Sequence, residues 1–573
     1  MALTIVLMCL ASLPALCQTD PETPSPGTAP APIVVPAVSD EKTIETPPDT
    51  TLPDDIRGDS LVARVRFYAE NRHNIFARML KAMLVRYRDT ATNTLSNNTF
   101  SYDKYDHWKG RIIRRIEVRV LEPFGPSVNY PTREPTSVLE QTGNRMHIKT
   151  RAFIVRNRLL FRTGDRLEPF RLSETERLLR QSSFIYDARI NLRRVRGNKK
   201  SNDSIDVIVI AHDLWSISGG GSLISINSFS INGSDANFLG MGSQLSAGVL
   251  VGPSYWHGSN WGASYILNNI GNTYTTASLF RYGYGNSTLQ GIGINRDFFS
   301  AITRFAGGFT SSTEDRRDFA PTDTFSRRPM YTSYARQDLW AGIASDPFND
   351  AQIDKERNYI TSARIIRTDY SKIPWSDSLH NRQNNITFLG SVGFLKRRYF
   401  KDQFILGLGR TEDVPTGFQA FMTAGIQKGD FRDRPYLGFR TAYADYGGKY
   451  GFIYGLLQTG MYRDNGNWSD RLLSGSLLYF TPLVRMRRWR TRYFAIGRYR
   501  HLAGNYLPDT YLNLNNNDGI RGFSAGTAYG SRTAVLNLEA NLYPPLTIAG
   551  FRFGVVLFAD FGGKKIIKLH VSS

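Results

Sequence analysis

Cysteine is almost missing from this chain of 573 residues, and both copies, Cys9 and Cys17, fall within the first 17 positions. Removal of a leader would leave none, so neither a disulfide framework nor a thiolate metal site is available. No apolar run approaches the ~20 residues that a membrane-spanning helix needs, and a mean hydropathy of -0.32 argues the same way. Catalytic signatures are missing too. There is no Gly-x-Ser-x-Gly elbow and no His-Glu-x-x-His, and the eight histidines are scattered from His73 to His570. The Gly283-Tyr284-Gly285 stretch has no helix after it to cradle a phosphate. We expect no enzyme, no cofactor and no bound metal.

What is present begins with an export pattern. Leu3 to Leu16 form an apolar stretch broken by Pro14, and Ala15-Leu16-Cys17 before Gln18 fits a small-x-small cleavage site, giving a signal peptide over 1–17. No Lys or Arg precedes the stretch, and Leu16 is large for the residue before a lipidated Cys17. From 18 to 56 the chain is a Pro-rich tether, punctuated by Pro21, Pro24, Pro26, Pro30, Pro32, Pro36, Pro47, Pro48 and Pro53. Such a segment has too little apolar surface to fold. Residues 57–200 carry 31 Lys+Arg against 14 Asp+Glu, a net +17 of the whole-chain +21. Over 57–109 we expect a basic amphipathic helical segment, Leu61 to Tyr87 with Val62, Val65, Ala69, Ile75, Met79, Met83 and Tyr87 on one face. Such charge often marks a nucleic-acid binder, but export excludes that partner. Anionic lipid headgroups, acidic clients or a merely solvated face remain open.

Residues 110–213 read as β-α-α-β-β. Arg111 to Leu121 alternates like a strand, Thr150 to Phe161 reads as a helix ended by Gly164, and Glu174 to Gln181 as a helix with Ser173 and Glu176 as a capping box. Phe184 to Val195 and Ser204 to Ala211 read as strands, and Pro123 to Met146 as a long insertion after the first strand. Past Asp213, strands and polar turns alternate to the end. Phe418, Ala420, Met422, Ala424 and Ile426 alternate with Gln419, Thr423 and Gln427, as a barrel wall between lipid and lumen requires. Tyr255, Trp256 and Trp261 are candidates for an aromatic girdle.

The densest signal lies near the end. Gly519-Ile520-Arg521-Gly522-Phe523 is followed by Leu536, Leu538, Ala540 and Leu542 alternating with Asn537, Glu539, Asn541 and Tyr543, and then by Phe558-Ala559-Asp560-Phe561-Gly562. Ala559 and Phe561 share one face, which turns Asp560 to the other, so an Arg521–Asp560 ion pair inside a barrel is one reading. A mobile external loop carrying Arg521 is the other.

These motifs resemble the BamA/TamA-type outer-membrane assembly superfamily (bacterial surface antigen type). Asp235-Ala236-Asn237-Phe238-Leu239-Gly240-Met241-Gly242 resembles its Asn-Leu-x-Gly-x-Gly early barrel turn, through Asn237, Gly240 and Gly242, with Phe238 as an extra residue. Residues 110–213 are similar to a POTRA domain, and Arg162-Thr163-Gly164-Asp165 with Phe184-Ile185 to its helix-turn and strand entry. The resemblance implies a fold class: an α+β periplasmic POTRA-like domain, then an all-β antiparallel transmembrane barrel of the 16-stranded type over 214–573. Only 11 residues follow Gly562, where the family continues through about three strands, so the last strands are expected to be missing. It further implies that Arg521 and Asp560 pair in the lumen, with Gly519, Ile520, Gly522, Phe523, Phe558 and Gly562 as their motif. The implied function is assembly, insertion or translocation of other proteins at the bacterial outer membrane. Outer-membrane lipids, unfolded outer-membrane or secreted clients and periplasmic proteins would be its partners. A single POTRA-like domain favours an accessory paralogue. The other reading is a passive outer-membrane channel or structural surface barrel.

Overall fold

The computed structural model describes residues 103–565, apart from 195–202, 226, 253–259, 285–286, 320–328, 346–355, 374–381, 465, 487, 505–511, 515–518, 524–528, 546 and 549–550. The leader, the tether, the basic helix over Leu61 to Tyr87 and the girdle candidates Tyr255 and Trp256 lie outside the described residues.

The first unit is a three-stranded sheet with two of its three helices packed on one face. In it, β1 (Ile112–Leu121), α1 (Val138–Met146), α2 (Ala152–Arg156), α3 (Pro169–Arg180), β2 (Ile185–Arg194) and β3 (Ser204–Asp213) follow in order. The central strand is β3, parallel to β1 and antiparallel to β2. Ile113, Val155, Leu172, Leu179, Ile190, Val207 and Val209 are fully enclosed between sheet and helices, the burial that holds an α+β layer pair together.

Two local expectations change. The helix expected over Thr150 to Phe161 ends at Arg156. Leu159 and Phe161 are both buried, and helical spacing would put residues two apart on nearly opposite sides, so the chain leaves the helix through a turn at Asn157 and Arg158. Further on, α3 begins at Pro169, whose ring presets φ for a first helical position. Ser173 and Glu176 therefore lie buried inside the helix rather than at its start. The capping box sits instead in the insertion, where Ser137 and Glu140 bond each other's backbone at the start of α1.

A barrel follows. Its strands are β4 (Ile217–Ser225), β5 (Ser228–Phe238), β6 (Ser243–Val251), β7 (Trp261–Ile270), β8 (Thr275–Tyr284), β9 (Ser287–Arg296), β10 (Phe305–Phe319) and β11 (Pro329–Ser345). After these come β12 (Arg357–Lys372), β13 (Asn385–Gln403), β14 (Thr411–Gly429), β15 (Arg434–Tyr446), β16 (Phe452–Asp464), β17 (Asn467–Phe480), β18 (Trp489–Ala503), β19 (Arg532–Tyr543) and β20 (Val555–Lys565). Each is antiparallel to the next, and the sheet closes as a ring. Among the described residues the ring has eighteen strands, of which Val484–Met486 only prolongs β17 along β18, leaving seventeen staves. This differs from the sixteen-strand expectation, which came from the resemblance and not from counting alternating segments. It differs also from an open edge, since β20 closes on β4. Sixteen reversals return the chain to its first direction, so those two strands run parallel.

Side-chain parity separates the two faces of the wall. Leu536 and Leu538 on β19 are exposed outward, while Thr533, Val535 and Asn537 are buried inward. Phe418 and Met422 on β14, and Trp261 on β7, are likewise exposed. An apolar outer face on a closed sheet leaves no backbone group unpaired in lipid, which is what a spanning barrel needs.

The α+β unit docks against one end of the barrel through α3. Arg180 forms a two-pronged bond with Asp413 at the start of β14, both contacts 2.7 Å, with both side chains almost wholly enclosed. Glu176 accepts from the Tyr105 hydroxyl at 2.6 Å and the Ile190 N–H at 2.7 Å, and meets Lys104 at 3.2 Å and Lys401 of β13 at 3.1 Å. Burial alone would push the Glu176 carboxyl up. The ammonium groups of Lys401 and Lys104, the Arg180 guanidinium and the Tyr105 hydroxyl reverse this and hold it well below the usual carboxylate range. A depressed folded value means the charge stabilises fully above the unfolded value of about 4.3, and that the gain is lost as pH falls through the lower folded value. The gap in thermal midpoint between the native protein and Glu176→Gln is therefore expected to stay constant from neutral pH down to about 5 and to close under stronger acid. A gap that closes already between pH 7 and 6 would contradict this.

Candidate functional site: a loop arginine held inside the barrel

The connection between β18 and β19 starts and ends at the barrel end remote from the α+β unit, yet its motif lies inside. Leu512–Asn513 pairs with Tyr529–Gly530, closing the connection as a hairpin. Leu514 is buried, and its carbonyl accepts from the Ile520 N–H at 2.9 Å. Gly519 passes so close to Leu514 that a Cβ would sit 2.1 Å from that carbonyl oxygen. Gly522 has φ +74°, the left-handed region that favours glycine, and it lets the Phe523 N–H reach the Ile520 carbonyl at 3.1 Å. Ile520 then rests over Gly562 of β20, where a Cβ would lie 2.9 Å from the isoleucine's tip. The motif glycines are thus a tight turn and a notch.

This turn aims Arg521 at Asp560. The Arg521 backbone N–H and Nε both donate to Oδ2 of Asp560 at 2.9 Å, and Nη2 donates to Oδ1 at 2.6 Å. Its remaining nitrogen, Nη1, donates to Glu539 on β19. Phe558 lies beneath the guanidinium, 4.2 Å from its ring centre, a cation–π contact. The Asp560 side chain is 3% exposed and that of Arg521 29%. Two-pronged charge-assisted bonds with a planar fork fix orientation as well as distance. Asn537 completes the clamp by donating to the Gly519 carbonyl at 3.0 Å and accepting from Arg498 of β18 at 2.7 Å.

Sequence reasoning named Asn537 and Glu539 only as the polar face of a strand. The register explains their role, since Asn537 faces Asp560 across the ladder and Glu539 faces Phe558. Polar residues of matching parity on the neighbouring strand were the available signal. Phe523, placed in the motif, stays 37% exposed.

Asn237, Gly240 and Gly242 lie elsewhere, at the opposite end of the barrel. The extra residue, Phe238, is absorbed by a bulge between Asp235 and Phe238. Asn237 accepts from the Gly242 N–H at 2.8 Å and donates to Thr150 Oγ1 at 2.9 Å and the Ile148 carbonyl at 3.3 Å. Gly240 and Gly242 have φ +70° and +64°, and Cβ atoms there would collide with the Lys149 carbonyl and the Phe184 ring. This turn is a socket for the α+β unit, and the motif pair is a separate clamp inside the wall.

No family model matches the chain, and no curated protein does. Among solved structures it is similar to BamA from Haemophilus ducreyi lacking POTRA domains 1-3, at 10% identity and a TM-score of 0.30, over 78% of this chain and 85% of that one. It is similar also to CdiB from Acinetobacter baumannii, at 9% identity and a TM-score of 0.32, over 85% and 80%. CdiB from Escherichia coli gives 10% identity and a TM-score of 0.34 over 79% and 77%. At such values, what the barrel does has to be read from its own geometry.

Proposed function

We propose that this protein assembles, inserts or translocates other proteins at the bacterial outer membrane, as an accessory factor with a single POTRA-like periplasmic domain over 110–213. The observation that carries the reading is the Arg521 clamp. A connection that crosses to the barrel interior and is fixed there by five hydrogen bonds from Arg521 and Asn537 has no purpose in a pore that only passes solutes. It would instead brace the wall formed by β18, β19 and β20 while the rest of the barrel deforms around a client. The three-stranded sheet ends in strands β1 and β2, and such edges can take up an extended client segment as an added strand. No covalent chemistry or cofactor enters this reading.

Residues 110–213 would face the periplasm. Protease added to intact cells should spare them and cut only after the outer membrane is opened, whereas cutting in intact cells would reverse the topology. Function is tested by reconstituting the protein in liposomes with an unfolded outer-membrane client. Faster client folding than in protein-free liposomes supports the reading. Steady ion conductance with no effect on the client would favour a passive channel.

A further inference from the structure

The ribbon from Arg145 to Arg156 runs from the end of α1 through α2 and passes under the socket turn. Its inward residues are pinned, since His147 Nε2 lies 3.0 Å from Asp213 Oδ2 and the Thr150 N–H donates to the same oxygen at 2.7 Å. Pinning those two leaves their neighbours facing out. Met146, Ile148 and Phe153 are 63%, 51% and 46% exposed. Interleaved with them are Arg145, Lys149, Arg151 and Arg156, all exposed, and the ribbon contains no acidic residue. Among the described residues, Glu122 pairs with Lys149 at 3.3 Å, and the Asp213 carboxylate lies on the inward side.

The ribbon is also joined to the lipid-facing rim of the barrel. The Arg151 N–H donates to the Gly240 carbonyl at 3.0 Å, and on either side of Gly240 the turn exposes Leu239 and Met241. Just above, Phe238 meets Tyr265 edge-on, with ring centres 6.3 Å apart. Tyr265 shares its strand face with the outward Trp261 and Leu267. The apolar surface therefore continues from the barrel's outer wall, through an aromatic pair suited to a membrane interface, onto the ribbon.

We propose that residues 145–156 form a membrane-surface anchor that seats the α+β unit on the adjoining leaflet. Ile148 and Phe153 enter the headgroup–acyl boundary, and Lys149, Arg151 and Arg156 engage anionic phospholipid headgroups. Alternating apolar and basic side chains in the plane of a bilayer are the pattern that gives such binding. The anchor fixes how the unit's sheet is held beneath the barrel, and it stands whether or not the protein acts on clients.

The test uses the full chain with Cys9→Ser and Cys17→Ser, in lipid nanodiscs. Single cysteines at Ile148, Phe153 and, as a control, the exposed Asn191 of β2 carry an environment-sensitive dye. Heat-modifiable gel migration verifies that each variant is folded. With acyl-chain spin-labelled lipid, the dye at 148 and 153 is expected to be quenched several-fold more than at 191. Joint replacement Lys149→Glu, Arg151→Glu and Arg156→Glu should abolish most of that difference in discs containing phosphatidylglycerol. Equal quenching at 153 and 191 would overturn the anchor, as would protection of 153 only after a periplasmic extract is added, which would assign the ribbon to a protein partner. Charge reversal without effect in phosphatidylglycerol discs would overturn the headgroup assignment.

Discussion

Arg521→Ala is expected to destabilise the barrel by about 3 kcal/mol, near the lower end for breaking a buried pair because lumen water screens part of the charge. The two partners should not be equivalent. In Arg521→Ala, the enclosed Asp560 carboxylate loses both guanidinium donors at once and keeps the backbone N–H of residue 521. Without Asp560, Arg521 keeps Glu539 and its ring contact with Phe558 and is exposed enough to hydrate. Arg521→Ala should therefore be the more damaging single change, and the double variant should cost less than the sum of the two. Arg521→Lys should recover only a minor part, since a point charge cannot span Asp560 and Glu539 with fixed geometry. Urea unfolding followed by gel mobility measures all four. Near-neutral, additive single changes would mean that the loop is not held by this pair.

The second large effect is expected at the docking interface. Arg180→Ala leaves Asp413 enclosed without its two-pronged partner, and Asp413→Ala strands Arg180 beside Glu176, which lies 3.7 Å away. Each change is expected to weaken docking by about 3–5 kcal/mol, enough to free the α+β unit from the barrel mouth. Replacing both with apolar residues of similar volume should be much milder, because no charge is then left buried without a partner. Chymotrypsin cleavage after Leu214 or Trp215, between Asp213 and Ile217, reports this, with rapid cutting in each single variant and slow cutting in the double. Unchanged cutting in Arg180→Ala would show that the turn around Asn237 holds the unit unaided.

Parity made much of this legible in advance. Alternation along 536–543 placed Leu536 and Leu538 outward, and the residues flanking Asp560 placed its carboxylate inward, because a period of two leaves a strand no other choice. Whether Arg521 reached that carboxylate was not legible, since it depends on the turn set by Gly519 and Gly522 and on the notch at Gly562. The strand number was also hidden. Segments such as β10 and β11 mix Gly, Ser and charged residues on their lumen side, and a closed ring is set by pairings far apart in sequence. In the α+β unit, Ser173 and Glu176 had the spacing of a capping box, but tertiary burial of Leu172 and Leu179 and the preset φ of Pro169 moved the helix start. Glu176 was thereby turned from a cap into the centre of the docking cluster.

Whether the motif loop is folded into the barrel can be measured directly with a disulfide. Ile520→Cys with Gly562→Cys places two thiols where the isoleucine tip now lies against the glycine, in the chain with Cys9→Ser and Cys17→Ser. Mild oxidation of the folded protein in membranes is expected to close the bond in nearly all molecules. The Ile520→Cys single variant is expected to resist a membrane-impermeant thiol reagent. No cross-link in the double variant, together with rapid labelling of the Ile520→Cys variant from outside, would place the loop in solvent and contradict a clamp inside the barrel.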